Sequence, residues 1–178
     1  MLLRQKSAFN GFAYEFLEDD TQAVLGEFHY AWFAQAKNAR LRVHSCEDAA
    51  QGDIPLRLNG RFWRVRHLYL RRGYTNDIRY TLETAQETVC AQLDVLTGTP
   101  SQRQPRVVMD HPLRAELSTS PGWLRKQFVL TDSDSRQPLG TIQERSALST
   151  RRELQIDVPG CASEVAAFWG IVALIVRF

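Results

Sequence analysis

The chain has 178 residues, of which 44% are hydrophobic and 24% are charged, and its formal net charge is +2. These values are typical of one globular domain, here 1–178, and they exclude a disordered chain, a collagen-like repeat and a disulfide-rich miniprotein. The small net charge does not by itself indicate a polyanionic partner.

Cysteine usage and the first residues indicate a reducing location. The cysteines lie far apart, at positions 46, 90 and 161, and form no CxxC pair. This spacing argues against a disulfide framework and against a cysteine zinc site. No apolar run of signal-peptide length occurs before Gly11. We therefore expect a cytoplasmic protein, either free or peripherally bound at a membrane.

The first half of the chain predicts short β-strands. Residues 12–17 and 40–44 alternate in character along the chain, and residues 24–33 are rich in aromatic side chains. Both patterns are typical of strands with one face in a core.

The strongest local signal is the Asn59-Gly60 pair between two alternating runs, which predicts a two-residue hairpin turn. In this register Leu56 lies opposite Trp63, and the apolar residues of both strands share one face. The opposite face carries Arg57, Phe62, Arg64 and Arg66.

A third strand over 78–82 is followed by a segment with two open interpretations. Five apolar residues in it are spaced as on an amphipathic helix, namely Leu82, Ala85, Val89, Leu93 and Leu96. The threonines and valines of the same segment favour an extended strand. Both helix and strand therefore remain open over 82–96.

The rest of the chain predicts one loop and more strands. Residues 99–106 are polar and contain proline, which indicates a mobile loop. Short strands are expected at 106–109 and 114–117, and a hairpin of 123–130 with 139–145 around an acidic turn.

The sequence contains a weak internal echo. The pattern that begins at Tyr14 and ends at Phe28 recurs from Phe128 to Ile142, always 114 residues later. Each copy predicts a strand, an acidic turn and a return strand that opens with Leu-Gly. Chance similarity between two hairpins is the alternative, because hairpins share turn chemistry.

Twelve apolar residues in a row, 165–176, lie between Glu164 and Arg177. We expect a helix near 162–177 with Ser163 as its N-cap. The apolar run spans about 18 Å as a helix, whereas a bilayer core is about 30 Å thick. A helix that is apolar on every side is buried on every side. We expect it inside a barrel of strands, with a membrane anchor as the alternative.

The order of these features resembles the tubby-like superfamily, which includes the tubby C-terminal domain, the LURP-one-related proteins and the phospholipid scramblases. The resemblance is specific over 128–178, where a hairpin and a further strand precede the apolar helix. It implies a mainly β fold, a closed antiparallel barrel of about 12 strands around a hydrophobic C-terminal helix. The cysteine-rich cluster of the scramblases is absent, and no acidic loop matches their calcium site, so scramblase activity does not follow.

An arginine-rich stretch is the main functional candidate. Between residues 57 and 79 the sequence has seven arginines and a single acidic residue, Asp77. The candidate anion- or lipid-binding residues are Arg57, Arg61, Arg64, Arg66, Arg71 and Arg72. Because the neighbouring sequence offers so few acids, we expect a face that binds phosphate groups of anionic lipid head groups, or less favourably of nucleic acid. A merely solvated face is the structural alternative.

The sequence offers no recognisable catalytic or metal-binding motif. It contains no GxSxG, P-loop, Rossmann glycine pattern or HExxH. Structural roles are expected for His29, His44, His67 and His111. We therefore expect a non-enzymatic module, without cofactor or metal, that binds anionic phospholipid or docks at a membrane surface. The alternatives are a nucleic-acid-associated or regulatory protein that uses the same face, and an enzyme with its site in loops.

Overall fold

The computed structural model describes residues 1–7, 13–29, 53–71, 77–97, 106–120, 126–145 and 151–176. The strands within these ranges are β1 (Leu2–Gln5), β2 (Ala13–Leu17), β3 (Val24–His29), β4 (Ile54–Leu58), β5 (Arg61–Arg71), β6 (Asp77–Thr84), β7 (Val89–Leu96), β8 (Arg106–His111), β9 (Ala115–Ser120), β10 (Gln127–Asp132), β11 (Pro138–Glu144) and β12 (Glu153–Asp157). One helix, α1 (Ser163–Ile175), follows them. The expected strand at 40–44 and most of the expected loop at 99–106 lie outside these residues.

The strands form a closed antiparallel barrel in which each strand pairs with its neighbours in the chain. Closure is made by β1, which pairs antiparallel with β2 on one side and with β12 on the other. A meander of alternating direction closes in this way only with an even number of strands, and twelve are present in the described part of the chain. The predicted fold class is therefore confirmed.

The apolar helix α1 runs inside this barrel. All residues from Val165 to Leu174 are buried, and the Trp169 side chain is 0% exposed. The helix is about 20 Å long at about 1.5 Å per residue, and its side chains join the inward side chains of the strands in one core. The predicted central helix is confirmed, and no helix in the described ranges is long and apolar enough to cross a membrane.

The helix begins differently from the prediction. Its N-cap is Ala162, which makes no side-chain capping bond, and Ser163 is the first helical residue. The Ser163 hydroxyl instead accepts a 3.1 Å hydrogen bond from Asn59 Nδ2. The Ser163 hydroxyl, which local capping rules predict to cap the helix, thus binds Asn59 of the β4–β5 turn instead.

The β4–β5 hairpin has the predicted register. Leu58 pairs with Arg61, Leu56 with Trp63 and Ile54 with Val65. Asn59 and Gly60 have φ of 50° and 72°, and two consecutive positive φ values characterise the turn that suits right-twisted strands.

The helical interpretation of 82–96 is wrong. The segment consists of the end of β6, a turn, and β7, with Thr84 N donating to Thr88 O at 2.9 Å. Ala91 and Leu93 are buried at a spacing of two, whereas Val89 is 42% exposed. The alternation of a strand, with a period of two residues, therefore explains which apolar residues are buried, and the period of a helix does not.

The internal echo has a structural counterpart in the β2–β3 and β10–β11 turns. The first turn is closed by a hydrogen bond from Glu18 N to Ala23 O and the second by one from Asp132 N to Gln137 O, each 2.9 Å long. Gln22 and Arg136, also 114 residues apart, both have positive φ, 56° and 61°. The two hairpins therefore share the backbone geometry of their turns as well as a sequence pattern.

Candidate functional site

The β4–β5 hairpin places Arg57, Arg64 and Arg66 on the outside of the barrel. Leu56, Trp63 and Val65 are buried, so the intervening residues point outward. Arg57 is exposed, and Arg64 and Arg66 are partly exposed. Arg61 pairs with buried Leu58 and is exposed where the hairpin ends, next to the turn. We call these four residues the arginine face. Of the other two candidates, Arg71 ends β5 with its side chain outside the described residues, and Arg72 lies outside them altogether.

Two members of the arginine face are engaged by acids. Arg64 Nε lies 3.8 Å from Asp53 Oδ2, and Arg64 Nη1 lies 3.6 Å from Glu87 Oε1. Arg66 Nε lies 3.7 Å from Asp53 Oδ1, and Arg66 Nη1 lies 3.5 Å from Glu83 Oε2. The expectation that neighbouring acids are lacking is therefore wrong for these two arginines.

The matching acids come from two other places in the chain. Asp53 directly precedes β4, while Glu83 pairs with Arg64 across the β5–β6 ladder and Glu87 lies in the following turn. Asp53 extends the β4–β5 register by one residue beyond the Ile54–Val65 pair, toward Arg66, whereas the positions of Glu83 and Glu87 are visible only once β6 is aligned with β5. The open helix-or-strand question over 82–96 hid that alignment.

Asp53 is the most unusual acid of the group. Its side chain is 7% exposed, and its Oδ2 atom accepts no hydrogen bond. Burial raises the pKa of the Asp53 carboxyl, while Arg66 and Arg64 act in the opposite direction. A buried carboxylate without a donor is unfavourable, so the two guanidinium groups provide its main compensation.

Arg57 and Arg61 differ from this pair. Neither forms an ion pair or a side-chain hydrogen bond with another described residue. Glu27 pairs with Arg57 across the β3–β4 ladder, but its carboxylate bonds to Lys6. That bond lowers the pKa of Glu27, and Arg57 contributes only through the weaker long-range attraction. Arg57 and Arg61 are thus the open cations of the face.

A cleft of about 270 Å³ adjoins Arg61 at the turn. It is lined by Leu58, Asn59, Arg61, Trp63, Ser163 and Glu164. The wall formed by α1 carries the Glu164 carboxylate, so the cleft presents both signs of charge. Arg57 does not line the cleft, so the outward surface around Arg57, with Arg61 at the neighbouring turn, is a better anion site than the cleft.

Exposed apolar side chains flank the arginines along β5. Phe62 is 48% exposed, Leu68 is 62% exposed and Leu70 is 42% exposed. Phe62 and Leu68 have even numbers, as do Arg64 and Arg66, so these four share the outward face of one strand. Leu70 lies at the register shift between Tyr69 and Arg71. Along the outward face of β5, the side chains are therefore first apolar, then cationic and then apolar again.

Arg79 belongs to the same basic stretch of sequence but is fully engaged. Its Nε and Nη2 atoms donate to the two carboxylate oxygens of Asp94, each at 2.8 Å. These hydrogen bonds raise the pKa of the Arg79 guanidinium. A phosphate could bind the Arg79 guanidinium only if these two hydrogen bonds to Asp94 were broken.

The remaining chemical candidates have structural environments. Asp132 accepts hydrogen bonds from the backbone N–H groups of Asp134 and Ser135, as expected of an acidic turn. The Ser135 bonds lower the pKa of Asp132. The His67 ring packs against Tyr69 and Tyr80, and His44 lies outside the described residues. Among the described residues, burial raises the pKa of the Cys90 and Cys161 thiols.

Within the described ranges no three His, Cys, Asp or Glu side chains come together as a metal site. No protein-family model, curated protein or solved structure matches the chain. Functional inference therefore depends on the geometry of the arginine face and of the barrel.

Proposed function

We propose that this protein is a non-enzymatic module of the tubby-like type that binds anionic phospholipid at a membrane surface. The observation that carries the proposal is the pair Arg57 and Arg61, exposed and unpaired within the described chain, with exposed Phe62 beside them. The barrel around a buried apolar helix is the architecture that the tubby-like resemblance implies, and this agreement supports the assignment.

The chemistry of these side chains suits a lipid interface. Guanidinium groups donate two parallel hydrogen bonds to a phosphate, and each basic residue near an anionic surface contributes about 1 kcal/mol. An aromatic ring adjacent to such cations enters the headgroup region, where its apolar area leaves water. Exposed apolar side chains give a nucleic-acid backbone no comparable partner, which favours lipid over nucleic acid.

The first prediction concerns vesicle binding. Phosphatidylcholine vesicles containing phosphatidylserine or a phosphoinositide should bind the protein in a flotation assay, and salt should weaken the binding. Arg57→Gln combined with Arg61→Gln should reduce binding about ten- to thirtyfold, since each lost cation is worth about fivefold. Melting temperature should stay nearly unchanged because both side chains are exposed.

A control variant with the same charge change is available across the barrel. Arg114→Gln combined with Arg136→Gln removes two exposed cations near β10, which lies six strands from β4 around the barrel. This variant should bind vesicles like wild type. Equal losses in both double variants would indicate non-specific attraction, and tighter binding of wild type to duplex or single-stranded DNA would replace the lipid proposal with the nucleic-acid one.

A further inference from the structure

Asp53 lies between the two engaged arginines of the face. Its two carboxylate oxygens lie 3.8 Å from Arg64 Nε and 3.7 Å from Arg66 Nε. These distances exceed those of good hydrogen bonds, so the attraction is largely electrostatic. One carboxylate thus restrains two guanidinium groups that are 29% and 42% exposed and border solvent.

The surroundings make the charge state of Asp53 decisive. The charged or titratable groups that face it are Arg64, Arg66 and His67 on β5 and Glu83 on β6. Its Oδ2 atom is buried without a donor. A protonated carboxyl would keep its place in this environment but would no longer attract the arginines.

Glu83 divides its carboxylate between Thr81 and Arg66, from which it accepts a long hydrogen bond. Glu83 Oε1 accepts a 2.9 Å hydrogen bond from the Thr81 hydroxyl, and only Oε2 approaches Arg66, at 3.5 Å. The second acid on Arg64, Glu87, is 71% exposed and therefore solvated. Among the described residues, Asp53 is the one acid that contacts both arginines.

We propose that Asp53 is an acid latch on the lipid-binding face: its charged form holds Arg64 and Arg66 against the barrel, and its neutral form releases them to bind lipid phosphates. This inference rests on the proposed function. Arg57 and Arg61 would bind anionic lipid in either state, and Arg64 and Arg66 would add to them only when the latch is open.

The latch gives binding a defined pH dependence. Because burial raises the pKa of Asp53, this carboxyl takes up a proton at a higher pH than an ordinary aspartate does. As the pH falls, Arg64 and Arg66 are released and binding to anionic vesicles strengthens. By the same linkage, the stability contributed by Asp53 is present at low pH and is lost as the pH rises through its raised pKa. Asp53→Asn should therefore not lower the melting temperature at neutral pH.

The test compares Asp53→Asn with wild type on phosphatidylserine-containing vesicles. At neutral pH the variant should bind about fivefold more tightly, the effect of about one additional arginine at the surface. Wild-type binding should rise toward the variant's as the pH is lowered through the raised pKa of Asp53, whereas the variant should lose most of this dependence. Glu116→Gln changes the net charge equally at a distant ion pair and should behave like wild type.

The outcomes separate the latch from the proposed function. If Asp53→Asn binds like wild type at both pH values, or keeps the full wild-type pH dependence, the latch is wrong and lipid binding stands. If neither protein binds anionic vesicles at any pH, lipid binding fails and the latch fails with it. Should Asp53→Asn not fold, as judged by circular dichroism, Arg64→Gln combined with Arg66→Gln provides the second test: this variant should lose the pH dependence of wild-type binding, and full retention of that dependence would contradict the latch.

Discussion

Three glycines in this barrel stand where a side chain would meet a neighbour. A Cβ atom on Gly26 would clash with the backbone carbonyl oxygen of Arg57, and one on Gly140 with that of Asp157. A Cβ atom on Gly170 would clash instead with the end of the Ile156 side chain. A strand backbone moves less readily than a terminal methyl group, so the three positions differ in tolerance.

This difference gives a ranked prediction. Gly26→Ala and Gly140→Ala should each lower the free energy of unfolding by about 1–3 kcal/mol, the usual range for inserting atoms into packed structure. Gly170→Ala should cost less, because Ile156 can change rotamer. Urea unfolding at constant m-value measures all three. A larger loss for Gly170 than for both strand glycines would contradict the packing argument.

The residue scale also explains why only part of the arginine face was predictable. Alternation along β4 and β5 placed Arg57, Arg64 and Arg66 outward correctly, since strand side chains alternate by geometry. Whether each cation is free depends on Asp53 and Glu83, and their contact with the arginines requires strand pairing. Counting charges along 57–79 could not reveal these contacts, because Asp53 and Glu83 both lie outside that range.

At the scale of elements, the two echoing hairpins are the most informative feature. Both β2–β3 and β10–β11 have a register shift in their first strand, at Phe16/Leu17 and at Leu130/Thr131. The shift sites are 114 residues apart, like the turn residues and the two strand glycines. Sequence pattern, turn geometry, register irregularity and close backbone approach all repeat together, which chance similarity of turn chemistry does not require.

The helix α1 predicts different losses of stability for substitutions at its buried centre and at its end. Phe168 is 0% exposed at the centre of the helix, whereas Ile175, its last residue, is only partly buried. Phe168→Ala should cost about 3–5 kcal/mol of unfolding free energy, through lost burial and a residual cavity. Ile175→Ala serves as a control on the same element and should cost clearly less. Comparable losses at both positions, measured by denaturant unfolding, would place Ile175 in the core as well and contradict the described burial.

At the scale of the whole molecule, the helix fills the space that the strands enclose. The inward side chains of strands all around the barrel join one cluster with α1, so the strands of the described chain share a single core with the helix. A barrel of this size without its helix would leave apolar walls facing a large void.

Removal of 162–178 should therefore yield aggregated or unfolded protein. Gel filtration and thermal melting followed by circular dichroism measure this outcome, and a variant that ends after Val176 is the matched control because it keeps all of α1. A soluble truncated protein with a cooperative melting transition would contradict the central-helix interpretation and weaken the proposed tubby-like assignment.

Local chemistry explains what the sequence by itself determined. The Asn59-Gly60 turn, the acidic turn at Asp132 and the burial of 165–174 each depend on residues within a few positions of one another. Positive φ values, side-chain-to-backbone hydrogen bonds and uniform apolarity are properties of short segments. They therefore appear in the sequence before any tertiary contact is known.

Only the tertiary structure decided the rest. Barrel closure pairs Leu2 with Gln155. The 82–96 segment forms strands, because the strand period buries its apolar residues in the core. Asp53 lies in contact with Arg64 and Arg66. Each outcome depends on which strands become neighbours, and strand pairing draws its free energy from contacts between residues distant in the chain. For that reason the sequence located the arginines, while the barrel determined which of them are open to a ligand.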